Sequence, residues 1–377
     1  MELSAEQEAM REAVRQVARE EIDPVAEATD RDARFPEDVW DTLADLDLTA
    51  VAVPEEHGGL DSDRLTASLV VEEIASASLA VSTALGVHWL ATSCIAEFGG
   101  PDQQAAWLPE MVDGRPVGAF ALSEPEAGSN PAEMTTTARK EGEEYVLDGE
   151  KMWITNGQRS GVVILFAKTD PDDPGSITQF LVPKDVDGLT VGDPEDKLGL
   201  RASDTTSLAF DGVRIPAANR LTEEGRGLSA ALSILNGGRV TVAAQAVGLS
   251  RAALAAALDY ATEREQFDQP IGDFQAIRHE LAEMATTLRA ARLLTWDAAR
   301  RMDRGERARR AASMAKYFAT EGAVDVTNAA LQIHGGYGYV EGDVERYYRD
   351  AKVTTIYEGT TQIQKDIIAR ELLDAGL

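Results

Sequence analysis

The chain has 377 residues, of which 44 % are hydrophobic and 6 % aromatic, and its 65 acidic against 36 basic residues give a formal charge of −29. This length predicts two or three packed units with a sizeable core, and the composition excludes a disordered or fibrous protein. The acidic balance excludes a nucleic-acid partner, while four histidines and one cysteine leave no metal motif and no disulfide framework.

The acidic residues are spread along the chain instead of forming one tail. Such a surface is typical of proteins from salt-loving organisms, because dispersed carboxylates keep a protein strongly hydrated. An ordinary acidic cytosolic protein is the alternative. The first residues are charged and contain no apolar signal core, and no apolar run approaches the roughly 20 residues that span a membrane. We therefore expect a cytoplasmic protein without membrane insertion.

The N-terminal part of the sequence predicts helices. Ser4 followed by Gln7 is a capping-box start, and Val14 and Val17 follow at helical spacing. Alanine- and leucine-rich stretches then continue, broken at two glycine pairs. Residues 1–115 are predicted to form an all-helical unit.

The pattern changes in the middle of the chain. Four short β-prone runs are separated by Gly, Asp and Pro, at 145–147, 162–167, 178–182 and 207–215. Residues 116–222 are therefore predicted to form a small β domain. From Leu228 helical periodicity returns in long segments, so residues 223–377 are predicted to be helical. The expected fold class is α+β, in the order α, β, α.

Common nucleotide and hydrolase motifs do not explain the function. The sequence has no P-loop, and the G-x-G-x-x-A at 225–230 follows LTEE, which is not the strand that a Rossmann turn requires. No G-x-S-x-G elbow is present either. The chemistry must come from other segments.

Five segments carry the functional signal. They are ALSEPEAGSN at 121–130, GEKMWITNG at 149–157, KLGLRASDTT at 197–206, REQF at 264–267 with Gln275, and QIHGGYGY at 332–339 continuing to RDAKVTTIYEGTTQIQ at 349–364. In their order and spacing these segments resemble the acyl-CoA dehydrogenase family over nearly the whole chain. The resemblance implies an N-terminal all-α domain, a middle β-barrel or β-sandwich domain and a C-terminal four-helix-bundle domain, with FAD as the cofactor.

The first two segments match flavin contacts in this family. A Trp153 indole can cover one face of a flavin ring while the Thr155 hydroxyl bonds its edge, and the turn from Ser123 to Ser129 offers amides and hydroxyls to the ring edge and the pyrophosphate. A capped surface turn and a buried strand tryptophan are the plain alternatives. The implied cofactor contacts here are Phe120, Leu122, Ser123, Gly128, Ser129, Trp153 and Thr155.

A second group matches positions that bind the FAD of a neighbouring subunit in this family. Its members are Arg264, Phe267, Gln275, Gln332, Gly335 and Gly336. An arginine fork fits a pyrophosphate and glycines permit close approach of a nucleotide, although a glycine pair is otherwise a helix break. The resemblance therefore implies an oligomer, commonly a homotetramer.

Glu358 matches the family's catalytic base, and Thr360, Thr361 and Gln362 match FAD contacts that follow it. A carboxylate in a water-poor cleft is a stronger base than one in water, whereas a glutamate before a Gly-Thr turn is otherwise usually solvated. Thr361 and Gln364 are expected to form the capping box of the last helix.

The implied substrate contacts are Ser129, Asn236, Arg239 and Gly359. A glycine pair in this helix should cost about 1 kcal/mol per residue, so either the substrate or a packed helix is expected to approach there. Some members of the family carry the base on this helix, where the present sequence has Gly238. The segment 76–94, which is expected to lie near the acyl tail, contains no Lys or Arg, and this disfavours a dicarboxylic acyl group.

The resemblance implies dehydrogenation of an acyl-CoA to a trans-2-enoyl-CoA, in fatty-acid or branched-chain amino-acid catabolism, with an electron-transfer flavoprotein as the acceptor. A flavin acyl-CoA oxidase and a non-catalytic acyl-CoA- or flavoprotein-binding protein are the rival interpretations. Asn130, Asp268 and Gln362 depart from the family pattern. These departures bear on loop and cofactor geometry and remove no reactive group.

Overall fold

The chain folds as helices, then strands, then helices, over residues 2–376, which the computed structural model describes. The first helices are α1 Ala5–Val17, α2 Asp23–Arg31, α3 Glu37–Asp45, α4 Arg64–Ala77, α5 Leu79–Phe98 and α6 Pro101–Val112. The strands that follow are β1 Gly118–Ala121, β2 Thr137–Glu141, β3 Glu144–Thr155, β4 Val162–Lys168, β5 Ile177–Pro183, β6 Leu189–Val191 and β7 Thr205–Pro216. The rest comprises α7 Gly227–Glu263, a hairpin of β8 Glu265–Gln266 and β9 Gln269–Pro270, α8 Gln275–Asp303, α9 Arg309–His334, α10 Asp343–Thr354 and α11 Thr361–Ala375. The predicted α, β, α order is confirmed.

The predicted start of α1 is confirmed in detail. The Gln7 amide donates to Ser4 Oγ, and the Ser4 amide donates to Gln7 Oε1, each at 3.1 Å. Together these bonds satisfy two amides that the first turn leaves without partners.

Two central helices are apolar on most sides. By length and composition alone α5 and α7 could cross a membrane, which corrects the expectation that no such run exists. However, 83 % of the most apolar stretch of α5 and 67 % of that of α7 are buried inside the fold. A helix that is surrounded by other elements of a fold is apolar on all sides, so burial in the core accounts for the composition of α5 and α7.

The middle strands form one seven-stranded sheet. Its order is β1-β4-β2-β3-β7-β6, with β5 also paired to β4. β1 runs parallel to β4, and β3 pairs with β7 antiparallel with shifts in register, one of them between Lys151 and Ile154. This shift marks an irregularity in β3 that places a side chain of the candidate site.

Two adjacent carboxylates of α4 join the N-terminal helices to the C-terminal ones. Buried Glu73 accepts hydrogen bonds from Arg11 of α1 at 2.8 Å and from Arg251 of α7 at 2.8 Å. Glu72 pairs with Arg292 of α8 at 2.6 Å. Burial acts against ionisation, but the arginines outweigh it and lower the pKa of Glu73 to about 2. Glu73 therefore stays charged inside the fold.

We expect the thermal stability of the protein to increase with salt concentration. The net charge of −29 comes from an excess of acidic residues, most of which lie on the surface and repel one another. Salt ions screen this repulsion, but they do not reach the buried pairs of Glu72 and Glu73. Melting temperatures recorded from about 0.1 M to several molar KCl should rise by several degrees. The same series in sucrose controls for preferential exclusion of solutes. A flat or falling melting temperature in KCl would contradict this expectation.

Candidate active site

The loop between α10 and α11 holds Glu358 in a left-handed conformation with φ 51°. A non-glycine residue takes this conformation only where surrounding contacts enforce it. The Nζ atom of Lys316 donates to the carbonyls of Tyr357 and Gly359 at 2.8 and 2.6 Å. The Gln364 amide donates to the carbonyls of Glu358 and Gly359 at 3.3 and 2.9 Å. Side chains of α9 and α11 thus satisfy three successive carbonyls of the loop.

The start of α11 differs from the expectation. Thr360 is the N-cap residue, and its hydroxyl accepts from the Ile363 amide at 3.4 Å. Thr361 is buried and donates to Glu321 Oε1 at 2.5 Å. The predicted capping box of Thr361 and Gln364 is therefore wrong, because the carbonyls of the preceding loop bind the Gln364 side chain instead.

The carboxylate of Glu358 lies against α7. A Cβ atom at Gly238 would overlap Oε2 of Glu358, so this glycine admits the carboxylate, whereas a Cβ atom at Gly237 would approach the Arg64 side chain of the packed helix α4 at 3.1 Å. Within residues 2–376, Oε2 is shielded from solvent and has no hydrogen-bond partner. Burial raises the pKa of Glu358 to about 7, against the opposing effects of the Lys316 and Arg239 charges. Such a carboxylate is suited to act as a base near neutral pH.

Two predicted substrate contacts lie on the same turn of α7 as Gly238. Arg239 is buried and donates to Asn236 Oδ1 at 2.7 Å, while its Nε has no partner in the described part of the chain. Burial lowers the pKa of Arg239 to about 10, with a further lowering from Arg309 and an opposing effect from Glu358. The site therefore places a cationic donor near the carboxylate.

A narrow cavity between α4, α5 and α7 reaches the glycine pair. It has a volume of about 20 Å³, and Gly86, Leu90 and Gly238 are among its lining residues. The expected acyl-tail segment 76–94 does supply part of this lining. Arg64 of α4, which lies outside the segment 76–94 considered from the sequence, also lines the cavity and brings a cation to it.

Trp153 projects from an irregularity in β3. The register of β3 on β7 shifts across this residue, which has φ 63°. A β-bulge of this kind turns a side chain out of the strand's alternation. The indole is 59 % exposed, so the alternative of a buried strand tryptophan is wrong. Thr155 lies two residues further along the same strand and is half-buried.

A buried ion pair fastens the turn from Ser123 to Ser129 beside this bulge. The Met152 amide donates to the Ser123 carbonyl at 3.0 Å. Next to it, Lys151 Nζ donates to Glu124 Oε1 at 2.9 Å, and both side chains are buried. Burial disfavours the charge on Glu124, but Lys151 and the amide donors outweigh it and lower the pKa of Glu124 to about 2.

Sequence reasoning missed Glu124 and Lys151, although both lie inside the quoted segments. The available signal was that one segment contains the acid Glu124 and the other the base Lys151, and that both segments were expected to contact the same flavin. Lys151 also donates to the Leu122 carbonyl at 3.2 Å. The pair therefore fixes the main chain between β1 and the turn.

The surface around Trp153 suits a flat aromatic group that carries phosphates. Phe120 and Leu122 are half-buried, whereas Gly128 and Ser129 are exposed, and a Cβ atom on Gly128 would meet nothing within 4 Å. An exposed indole, hydroxyl groups and open main chain are the features that a flavin and its pyrophosphate require. These residues therefore fit FAD.

The contacts predicted for a neighbouring subunit gather at the ends of α7, α8 and α9. The Arg264 guanidinium carbon lies 5.9 Å from the ring centroid of Tyr337, and Phe267 is 87 % exposed at the tip of the β8–β9 hairpin. Gln275 is the first residue of α8. Gln332 lies in the last turn of α9, and Gly335 and Gly336 follow its end, with φ 59° at Gly335. The structure thus joins residues distant in sequence into one exposed patch.

The three departures from the family pattern have different surroundings. Phe267 and Asp268 form the two-residue turn of the hairpin, with φ 56° and 62°. Glycine favours this conformation, so Asp268 adds strain without removing a contact. Asn130 precedes a short 3₁₀ turn, and Gln362 is exposed on α11.

Comparisons with known proteins agree along the chain. The acyl-CoA dehydrogenase N-terminal, middle and C-terminal domain profiles match residues 4–115, 119–213 and 225–373. The chain is 44 % identical over 376 residues to an acyl-CoA dehydrogenase of Bacillus subtilis (strain 168), covering 99 % of each. It is 40 % identical over 375 residues to acryloyl-CoA reductase (NADH) of Anaerotignum propionicum, covering 98 % of this chain and 95 % of that protein. Its fold matches butyryl-CoA dehydrogenase of Megasphaera elsdenii with a TM-score of 0.96 and 36 % identity over 99 % of both chains.

We expect Lys151→Met to destabilise the fold because it leaves the Glu124 carboxylate buried without its cation. Breaking a buried pair typically costs about 3–5 kcal/mol of stability. Because the amides of Thr135 and Thr136 still donate to the Glu124 carboxylate, the loss should be about 3 kcal/mol. Denaturant unfolding followed by circular dichroism measures it. The double variant Lys151→Met/Glu124→Gln should recover part of the loss, and exposed Lys140→Met is the matched control. Equal stability of the single variant and the control would show that the pair does not hold the fold.

Proposed function

The chain belongs to the acyl-CoA dehydrogenase family, and we propose that it converts a short-chain acyl-CoA to the trans-2-enoyl-CoA with Glu358 as the base. It is an oxidoreductase that acts on CH–CH groups. The observation that carries the proposed role of Glu358 is its Oε2 atom, which lies against Gly238, is shielded from solvent and receives no hydrogen bond from the described residues. An ionised carboxylate in that position is poorly solvated, which favours uptake of a proton.

Glu358 is proposed to take the α-proton of the thioester. Such a proton is too weakly acidic for an unaided carboxylate, so the thioester oxygen must receive hydrogen bonds as negative charge develops on it. Among residues 2–376, no main-chain carbonyl accepts from the Glu358 amide, which supports its use as one such donor. Buried Arg239 would hold positive charge near the same region.

FAD is the proposed cofactor, and when bound it supplies the acceptor for the β-hydrogen and its electron pair. The Trp153 indole would cover one face of the ring, with Thr155 and Ser123 at its edge and Ser129 toward the phosphates. At the end of the Glu358 loop, Thr360, Thr361 and Gln362 are further proposed contacts. Thr361 would act mainly through its position, because its hydroxyl already bonds Glu321.

A homotetramer is the proposed assembly, with Arg264, Gln275 and the end of α9 completing the FAD site of a second copy. The exposure of Phe267 and Tyr337 in this patch supports an interface, since large aromatic groups are usually covered in an assembled protein. Electrons are proposed to leave through an electron-transfer flavoprotein in the cytoplasm. The pathway proposed is the catabolism of fatty acids or branched-chain amino acids.

We expect Glu358→Gln to abolish the chemical step while FAD and acyl-CoA still bind. The amide keeps the shape of the side chain but cannot take a proton, so flavin reduction should slow by several orders of magnitude. Anaerobic stopped-flow bleaching of the flavin by butyryl-CoA measures this rate, and Glu341→Gln on the surface is the matched control. Reduction within about tenfold of the parent rate would exclude Glu358 as the base.

A base placed at position 238 should restore part of this rate only when residue 358 is shortened. A Cβ atom at Gly238 would overlap the Glu358 carboxylate, and the amide of Glu358→Gln fills the same space. Gly238→Glu should therefore not restore flavin reduction when it is combined with Glu358→Gln. It should restore part of the rate when it is combined with Glu358→Gly. The same stopped-flow measurement compares the two double variants, and equal rates for both would contradict the expected overlap.

We expect short acyl chains to be the preferred substrates. The cavity of about 20 Å³ has room for little more than a water molecule, so a long chain would have to displace helices further than a short one. Bleaching rates should be highest for acyl groups of about four to six carbons and fall at least about tenfold by about twelve carbons. Glutaryl-CoA is the informative comparison, because Arg64 could bind its free carboxylate. Faster reduction by glutaryl-CoA than by butyryl-CoA would overturn the monoacyl assignment.

A further inference from the structure

Lys316 is a buried lysine that the proposed chemistry does not use directly. It lies on α9 among buried alanines, including Ala312, Ala315 and Ala319, with no exposed surface. Both of its hydrogen bonds go to main-chain carbonyls, those of Tyr357 and Gly359, and neither goes to a carboxylate. A buried ammonium group in a helix core is costly unless it compensates another charge or holds a strained segment.

The two carbonyls that Lys316 binds flank a single residue, Glu358. That residue has φ 51°, and Gly359 after it has φ 94°. Rotation of either flanking peptide would break one of the two hydrogen bonds, so the ammonium group selects one conformation of the loop. Its place between the peptides explains how the Glu358 carboxylate is directed at Gly238.

The charge of Lys316 acts on Glu358 as well. Lys316 from α9 and Arg239 from α7 are the cations that lower the pKa of Glu358, against the larger effect of burial. Burial lowers the pKa of Lys316 to about 8, with Glu358 and Glu321 opposing and Arg239 adding to the shift. Glu358 in turn opposes the lowering of the pKa of Arg239. The cations and the carboxylate therefore form one coupled group.

Tyr357 and Arg309 are two further titratable neighbours of this group, and Arg64 lines the cavity beside Gly238. Burial raises the pKa of Tyr357, whose hydroxyl donates to Gln245 at 2.8 Å, so it stays neutral near pH 7. Arg309 acts on Arg239 rather than on Lys316.

We propose that Lys316 is a positioning residue that fixes the Glu358 loop through two carbonyls and whose positive charge stabilises the ionised form of the Glu358 carboxylate. The inference rests on the proposed function, because it assigns Lys316 to the base of that reaction. It also makes a statement about the protein without substrate, namely that Lys316 and Glu358 titrate as partners.

The kinetic test compares Lys316→Met, Lys316→Gln and the surface control Lys365→Met. Loss of the cation should raise the pKa of Glu358, so the acid limb of flavin reduction by butyryl-CoA should move up by about one pH unit. From a pKa of about 7 this is roughly a fivefold loss of rate at pH 7 and roughly a tenfold loss well below it. Lys316→Gln should show the same shift but a higher plateau rate than Lys316→Met, because its amide can still donate to one carbonyl. A merely structural lysine would lower the rate equally at every pH.

The second test uses thermal melting between about pH 7 and 9 and needs no reaction. When the pKa of a carboxyl group is higher in the folded than in the unfolded state, the stability of the protein falls as the pH rises toward the folded pKa. With that pKa raised further, Lys316→Met should lose melting temperature across this window, whereas Lys316→Met/Glu358→Gln should not. Parallel curves for these two variants would overturn the inference, and Lys316→Gln replaces Lys316→Met if the latter does not fold. Failure of butyryl-CoA to reduce the parent enzyme would instead refute the proposed function, while the melting test still decides the pairing.

Discussion

The carboxylate of Glu358 occupies space that only a residue without a side chain can leave open. Gly238 supplies that space inside α7, where glycine costs a helix about 1 kcal/mol relative to alanine. The carboxylate reaches it because the backbone at Glu358 is left-handed, and that conformation depends on donors from α9 and α11. A raised pKa follows from the same contact, since the group has exchanged water for a helix backbone.

The β domain uses a comparable arrangement on the side proposed for the flavin. Glu124 and Lys151 are buried as a pair, and the bulge beside them sends Trp153 to the surface. In both places a charged side chain inside the fold controls an unusual main-chain conformation next to an exposed or reactive group. Left-handed backbone at Trp153, Phe267 and Glu358 falls on residues that the sequence had already marked. Strained conformations are tolerated where rigid surroundings hold them, which is the usual condition of functional sites.

Periodicity and turn residues were sufficient for the α, β, α layout, because these signals are local. Five ordered segments were sufficient for the family and its reaction class. They could not predict that Gly238 accommodates Glu358, because the two residues lie far apart in the sequence and meet only after packing. The N-cap at Thr360 was missed for a different reason: the Gln364 side chain, which a capping box would use, donates to the nearby carbonyls of Glu358 and Gly359, and this contact depends on the left-handed conformation of the loop. Lys316 could have been noticed as a lone cation on a stripe of alanines, yet only the fold shows which carbonyls it binds.

The paired carboxylates Glu72 and Glu73 differ from the acids on the surface. They contact arginines from three helices and are withdrawn from bulk ions, whereas the surface acids share a layer of water and counterions. An exchange of exposed acids for neutral residues would therefore alter solubility and ionic requirement while leaving the helical framework intact. The number of exposed acids can thus change without a change in the ionic bonds that hold the helices together.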